Sequence, residues 1–330
     1  MTQSMSTEYM DSTDLWRGQS PNQIRWIPYI YAGGDGRATS GETSSSVALT
    51  GDVSVPAEIL RLAAPSYNER LSNAGGSPMD PDLAFLRNRT ILFVGDSHDR
   101  KNVEGFCAHH ADLHAQLLGR GGHLATRCVI PALNLTLANW FHHGMAEGSE
   151  SWYGDSLSPQ MDVAPYDIEA RLPAQFEADI ADIGTPDLVI LNSVYWDLRY
   201  FTRKAVHEGW SEQLRKEPRT LTWDELRWHR HRLQVFVELF RKRFPDTPHM
   251  YRPAQLRATN KGAGNVAIFQ INESAKSLME TLGVPIFPWG DLLIGEEDYA
   301  DDMHVNILSQ ATYLHADMAM YYLKRAVAGG

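Results

Sequence analysis

From about residue 84 onward, short apolar runs alternate with longer stretches whose apolar positions recur at helical spacing. The runs are Thr90–Val94 (TILFV), a second region within Leu124–Phe141, Leu188–Leu191 (LVIL), His249–Tyr251 and Val284–Phe287 (VPIF). Helical patterns cover Lys101–Leu118, Tyr166–Ile183, Thr222–Phe244 and Asn265–Leu282, and Asn306–Ala326 follows the last run. The third helix carries its own start signal. Thr222 and Glu225 have the spacing of a capping box, and Leu226, Leu233, Phe236, Val237 and Phe240 share one face. Gly283 stands where the fourth helix needs a left-handed residue to end. Alternation of this kind predicts an α/β fold of three layers, α/β/α, with a five-stranded parallel sheet between helices. In such open sheets ligands bind beyond the carboxyl ends of the strands.

Residues 1–83 lack this regularity and read as an arm, partly disordered or packed on the body, ahead of one domain spanning 84–330. Ala38–Pro56 is rich in Ser, Thr and Gly, whereas Trp16, Trp26, Ile27, Tyr29, Ile30 and Tyr31 are too apolar for a free tail. The composition, 43% hydrophobic and 22% charged over 330 residues, is that of a globular chain. Its net charge of −11 disfavours nucleic acid and anionic membranes as partners, since both are held by Lys and Arg. No apolar run approaches the ~18 residues of a transmembrane segment. Met1–Trp16 has no basic stretch leading into an apolar one, so the expectation is a cytoplasmic chain by default, with the secretory pathway left open. Cys107 and Cys128 are too few for a disulfide scaffold; they either pair across elements flanking one strand or stay free. N-x-S/T triplets occur at Asn88, Asn134 and Asn272, and Asn134 falls within a predicted strand region.

The chemistry sits at the strand ends. The first strand runs directly into Gly95-Asp96-Ser97-His98-Asp99-Arg100. A serine in a sharp strand-to-helix turn projects its oxygen into the cleft beside the backbone N–H groups and positive end of a helix. Capping the helix is the alternative use of Ser97. After the last run, Asp301 and His304 form a D-x-x-H pair, a spacing that lets the carboxylate reach back to the imidazole. A serine hydroxyl needs such a base, held by a carboxylate, to act as a nucleophile. The third strand ends at Asn192, whose amide can donate to a developing oxyanion or close the turn.

These blocks, in this order, resemble those of the SGNH (GDSL-type) hydrolase superfamily. GDS-x-x-R through Arg100, NS-x-x-W-D-L from Asn192 to Leu198, and the terminal D-x-x-H are most similar to the PC-esterase family, which groups esterases with polysaccharide O-acetyltransferases. The resemblance covers roughly 84–330 and implies a flavodoxin-like SGNH fold. It implies Ser97 as nucleophile, His304 as base, Asp301 as its orienting carboxylate, and an oxyanion site of the Ser97 N–H, the Asn192 side chain and a loop glycine, for which Gly144 is the candidate. Asn-Ser stands where the superfamily usually has Gly-x-Asn-Asp.

His98, Arg100, Trp196 and Arg252 are candidates to contact substrate, Arg252 through a carboxylate and Trp196 through a sugar ring. Trp140, Tyr153 and Tyr195 fall in or near the same predicted loops. His110 and His114 have the i, i+4 spacing of zinc ligands on a helix, but no H-E-x-x-H or cysteine spacing accompanies them, so no metal and no cofactor is expected. G-x-S-x-G, G-x-G-x-x-G and P-loop signatures are lacking. The resulting expectation is a serine esterase acting on a small-molecule or glycan ester. The alternatives are an O-acyltransferase using the same residues and a non-catalytic binding protein of the same fold.

Overall fold

The computed structural model describes residues 66–73, 81–119, 123–150, 152–153, 166–210, 218–259, 264–293 and 298–328. Most of the expected arm, including its tryptophans, lies outside the described residues. In chain order the elements are α1 (Tyr67–Asn73), β1 (Thr90–Gly95), α2 (Ser97–His109), β2 (Gln116–Gly119), β3 (Ala125–Ile130), β4 (Leu135–Phe141), α3 (Ile168–Ile180), β5 (Leu188–Leu191), α4 (Tyr195–His207), α5 (Trp223–Arg243), β6 (His249–Tyr251), α6 (Gly264–Leu282), α7 (Trp289–Leu292) and α8 (Gln310–Ala328).

Among the described residues the strands form one sheet of six, ordered β2-β3-β4-β1-β5-β6. β4, β1, β5 and β6 run parallel, with Val94 opposite Trp140 and Leu191. β3 pairs antiparallel with β4, and β2 with β3. The sheet is therefore mixed and six-stranded, not the five-stranded parallel sheet the pattern predicts. Three local causes account for the difference, the first being that Gln116–Gly119, expected as the end of a helix, forms the added edge strand β2. The Leu124–Phe141 region is broken by a tight turn, in which the Leu133 and Asn134 N–H groups donate to Ile130 and Pro131 and Asn134 takes φ +50°. A connection that short joins only antiparallel strands. Asn134 thus lies in a turn, not in a strand. At the other edge, Pro285 has no N–H for a ladder, and Val284–Phe287 contributes one bridge, Ile286 to Tyr251.

β1 is buried on both faces, as a central parallel strand should be. Ile91 and Phe93 face one cluster, formed with Val103 and Phe106 of α2 and Leu314, Met318 and Leu323 of α8. Leu92 and Val94 face the other, with Phe176 of α3, Phe236 and Phe240 of α5, and Leu278 and Met279 of α6. Helices on both faces leave the carboxyl ends of the parallel strands, and the turns that follow them, at one end of the sheet. α1 docks on α8, where the Asn68 amide donates to the Tyr313 carbonyl at 2.8 Å.

The Thr222 and Glu225 capping box opens α5, and Gly283 ends α6 at φ +62°. The helix expected over Lys101–Leu118 starts earlier and ends at His109; His114 then turns left-handed at φ +56°, and Leu117 and Leu118 belong to β2. Cys107 of α2 is disulfide-bonded to Cys128 of β3, with Cα atoms 5.4 Å apart. No described helix is long and apolar enough to cross a membrane.

Candidate active site

β1 delivers the chain into Gly95, and α2 starts at Ser97 with Asp96 as its N-cap. Gly95 is obligatory here for space: a Cβ would come within 1.8 Å of Asp99 Oδ2. Asp96 Oδ1 accepts from the His98 N–H at 2.9 Å, which fixes the first turn and leaves Ser97 at its tip. The partner group comes from the segment before α8. Between Tyr299 and Val305 the chain closes like a small hairpin, with the Ala300 N–H donating to the His304 carbonyl at 2.8 Å. A Cβ on Gly105 would sit 2.5 Å from the Ile307 carbonyl, so this glycine lets α2 approach the chain just beyond His304.

The result is a chain of short hydrogen bonds. Ser97 Oγ is 2.7 Å from His304 Nε2, and His304 Nδ1 is 2.7 Å and 3.0 Å from the two Asp301 oxygens. A carboxylate at Nδ1 places the ring proton there, so Nε2 accepts from the serine hydroxyl. Asp301 Oδ1 also accepts from the Met303 and His304 N–H groups at 2.9 and 2.8 Å. Burial opposes ionisation of Asp301, but these N–H groups and the ring hold its carboxyl well below the usual range. Burial lowers His304 to about 4, aided by the nearby His98 ring and only partly offset by Asp301. The imidazole is therefore neutral and ready to accept a proton over most of the acidic and all of the neutral range. A hydroxyl, a neutral imidazole and an ionised carboxylate in this order can transfer the hydroxyl proton as the oxygen attacks an electrophile.

The other candidates divide. His98 is buried against the same centre: its Nδ1 lies 2.8 Å from Asp96 Oδ1, its Nε2 3.0 Å from the Met303 carbonyl, and its ring stacks on Tyr195 at 4.3 Å. Gly144, at φ +85°, follows β4 two residues after His142, whose N–H donates to the Gly95 carbonyl at 2.8 Å. A Cβ there would press on Trp196 and on Asp197 Oδ1, 3.0 Å away. Asn192 is buried at the end of β5 and spends one amide hydrogen on the Arg252 carbonyl at 2.7 Å. Trp196 is half-buried, with the Arg199 guanidinium 4.8 Å from its ring centroid and His143 against its edge at 5.1 Å. Arg100 is partly buried, with Glu104 3.5 Å away on the next turn.

Arg252 is not available to a substrate. It is fully buried and forms two 2.7 Å hydrogen bonds with Asp99. Trp140 packs in the core against Phe176, with its indole N–H donating to Asp179, and Tyr153 is likewise buried. His110 and His114 do not share a helix; His110 is buried, bonded to Asn68 and Ser72. Among the described residues no three His, Cys, Asp or Glu side chains converge to hold a metal.

Two features are scarcely marked in the local sequence. One is the buried Asp99–Arg252 pair beneath the Ser97 turn. The other links β4 and β5 beyond their ends. Ser193 Oγ donates to Asp197 Oδ2 at 2.5 Å and accepts from His142 Nε2 at 2.8 Å, while Asp197 Oδ1 accepts the Met145 N–H at 2.8 Å. That network clamps the Gly144 turn onto the start of α4. The residue types in Asn192-Ser193-x-x-x-Asp197 are the only local hint of it.

No protein-family model matches the chain, and no curated protein matches it. Solved structures similar to it include a lipase/acylhydrolase from Enterococcus faecalis, at 13% identity over 72% of this chain and 96% of that one, with a TM-score of 0.39. Another is Axe2, an acetylxylan esterase from Geobacillus stearothermophilus, at 11% identity over 74% and 96%, TM-score 0.37. A third is Est24, a carbohydrate acetylesterase from Sinorhizobium meliloti, at 14% identity over 73% and 100%, TM-score 0.36. Likeness this distant carries no conclusion about substrate or activity, which rest on the chain's own side chains.

Proposed function

We propose that this chain is a serine esterase that hydrolyses a carboxylic ester through an acyl-enzyme on Ser97. The observation that carries the reading is the pair of 2.7 Å contacts joining Ser97 Oγ, His304 and Asp301. Ser97 Oγ attacks the ester carbonyl while His304 Nε2 takes its proton, and Asp301 stabilises the imidazolium that forms. The tetrahedral oxyanion is held by the Ser97 N–H, which as the first residue of α2 has no intrahelical partner, with the Gly144 N–H and the second Asn192 amide hydrogen as the remaining donors. Collapse expels the alcohol, which takes the proton back from His304. Water, activated by the same imidazole, then releases the carboxylic acid and frees Ser97.

The test is turnover of a small acetyl ester such as p-nitrophenyl acetate by the wild type, Ser97→Ala and His304→Ala. The reading expects saturable hydrolysis by the wild type and near-background rates in both variants. Equal rates in all three proteins would refute it.

A further inference from the structure

We propose that His98 is a positioning residue: a doubly protonated ring, fixed between Asp96 and the Met303 carbonyl, that holds the loop bearing His304 against the Ser97 turn and presents a positive charge to the His304 imidazole. The inference rests on the esterase reading for its catalytic meaning, but its geometry stands apart. Both ring nitrogens of His98 face acceptors, the Asp96 carboxylate at 2.8 Å and the Met303 carbonyl at 3.0 Å. A histidine that donates at both nitrogens carries both protons. Met303 immediately precedes His304, so the second bond ties the base's own backbone to the helix that begins at the nucleophile. The two rings lie 4.7 Å apart at their centroids.

The charged groups around this pair come from several elements. His98 is packed on the Tyr195 ring from α4, a phenol kept neutral by burial, with the Arg257 guanidinium 5.4 Å from the centroid of the same Tyr195 ring. Asp96 has Arg252 at 4.0 Å as a further cation, and Arg252 is itself neutralised by Asp99. Burial of Asp96 would favour its neutral form, but His98 and Arg252 hold its carboxyl well below the usual range. On the solvent side His304 meets Asp301, whose Oδ2 lies 3.9 Å from the Lys101 ammonium. His98 and Lys101 both oppose protonation of His304, His98 the more strongly. Adding to the effect of burial, the His98 charge helps keep the base free in acidic solution and makes it a weaker base, so the site is set for acidic to neutral conditions.

The experiment is a pH profile of kcat/KM for the wild type, His98→Gln and His98→Lys, on samples shown by thermal melts to be folded at each pH. It is paired with nitrogen-15 NMR of the histidine side chains. Loss of the charge should raise the acid limb by about one pH unit or more, from Coulomb interaction at this range. The lysine variant should restore it toward the wild-type position. In the wild type at pH 7 the His98 signals should show protons on both nitrogens. An unmoved limb in folded His98→Gln, or a singly protonated His98 in the wild type, would overturn the inference. Should the variants fail to fold, the wild-type spectrum decides alone. Absence of wild-type turnover would count against the esterase reading only, and the His304 titration read by NMR would still decide the role of His98.

Discussion

The Asp99 carboxylate and the Arg252 guanidinium meet through two parallel 2.7 Å hydrogen bonds, and both side chains are buried. Burial alone would lower the basicity of Arg252, but Asp99 in this geometry raises it above its usual value. The pair spans 153 positions of sequence and joins the helix that starts at Ser97 to the segment leaving β6. Removing one member strands the other charge in the interior, at a cost of about 3–5 kcal/mol. Arg252→Ala should therefore lower the melting temperature sharply. A variant with an unchanged melt and a raised KM would instead restore Arg252 as a substrate ligand.

Asp301 is the proposed orienting carboxylate, and Asp302 is its neighbour in the chain. Both side chains are exposed, but it is Asp301 that contacts the ring and accepts two backbone N–H groups. Asp301→Asn should lower kcat by roughly 10²–10⁴ through the wrong imidazole tautomer. Asp302→Asn should leave kcat within about twofold. Steady-state kinetics on both variants check this, and equal losses would show that the turn works differently.

Asn192→Ala removes two things at once. The lost bond to the Arg252 carbonyl leaves a buried acceptor unpaired, worth about 1–3 kcal/mol of stability. If the second amide hydrogen meets the oxyanion, kcat also falls by ~10²–10³ with little change in KM. Melts and kinetics measured together separate the two effects. A lower melting temperature with normal kcat would make Asn192 a strut between β5 and β6 and nothing more.

The sequence and the structure agree where the determinants are local. The TILFV run followed by Gly95-Asp96-Ser97 is a strand, a turn and a helix start because β-branched residues, a small residue and a cap follow one another. Thr222 with Glu225, and Gly283, act within one helical turn. Asp301 and His304 are three positions apart, so their contact is legible as spacing. The sheet edges were not legible, because whether Leu124–Phe141 is one strand or two hangs on a four-residue turn. The fate of Arg252 was hidden for a different reason. A charged residue after a strand looks the same whether it faces a cleft or a partner 153 positions away, and only the folded chain distinguishes them. His98 was obscured likewise, since its partners Met303 and Tyr195 come from distant segments.

Buried histidines give the fold a pH dependence of definite sign. Burial lowers His110 to about 3, and holds His142, His143 and His315 well below 6.5. In the unfolded chain each binds a proton near pH 6.5, so below that pH the unfolded state holds more protons than the folded one. Their contribution to stability is complete above about pH 6.5 and is lost as the pH falls. Melting temperatures taken at pH 7.5 and pH 5 should differ, with the acidic value lower. Equal values would show that these rings titrate in the folded protein.

The Cys107–Cys128 bond ties the helix bearing Ser97 to β3 and closes a loop across a sequence separation of 21. A loop of that size contributes about 3 kcal/mol by restricting the unfolded chain. Reduction should lower the melting temperature while leaving the Ser97–His304 contact in place. Melts with and without reductant, beside residual activity at 25 °C, check both halves of this expectation.

Activation of Ser97 by His304 is open to a direct chemical test. A fluorophosphonate forms a phosphonyl-serine adduct with loss of fluoride, and peptide mass spectrometry locates it. One adduct is expected, on Ser97, formed rapidly in the wild type and strongly suppressed in His304→Ala. An unlabelled Ser97 in folded protein, or labelling that does not depend on His304, would contradict it.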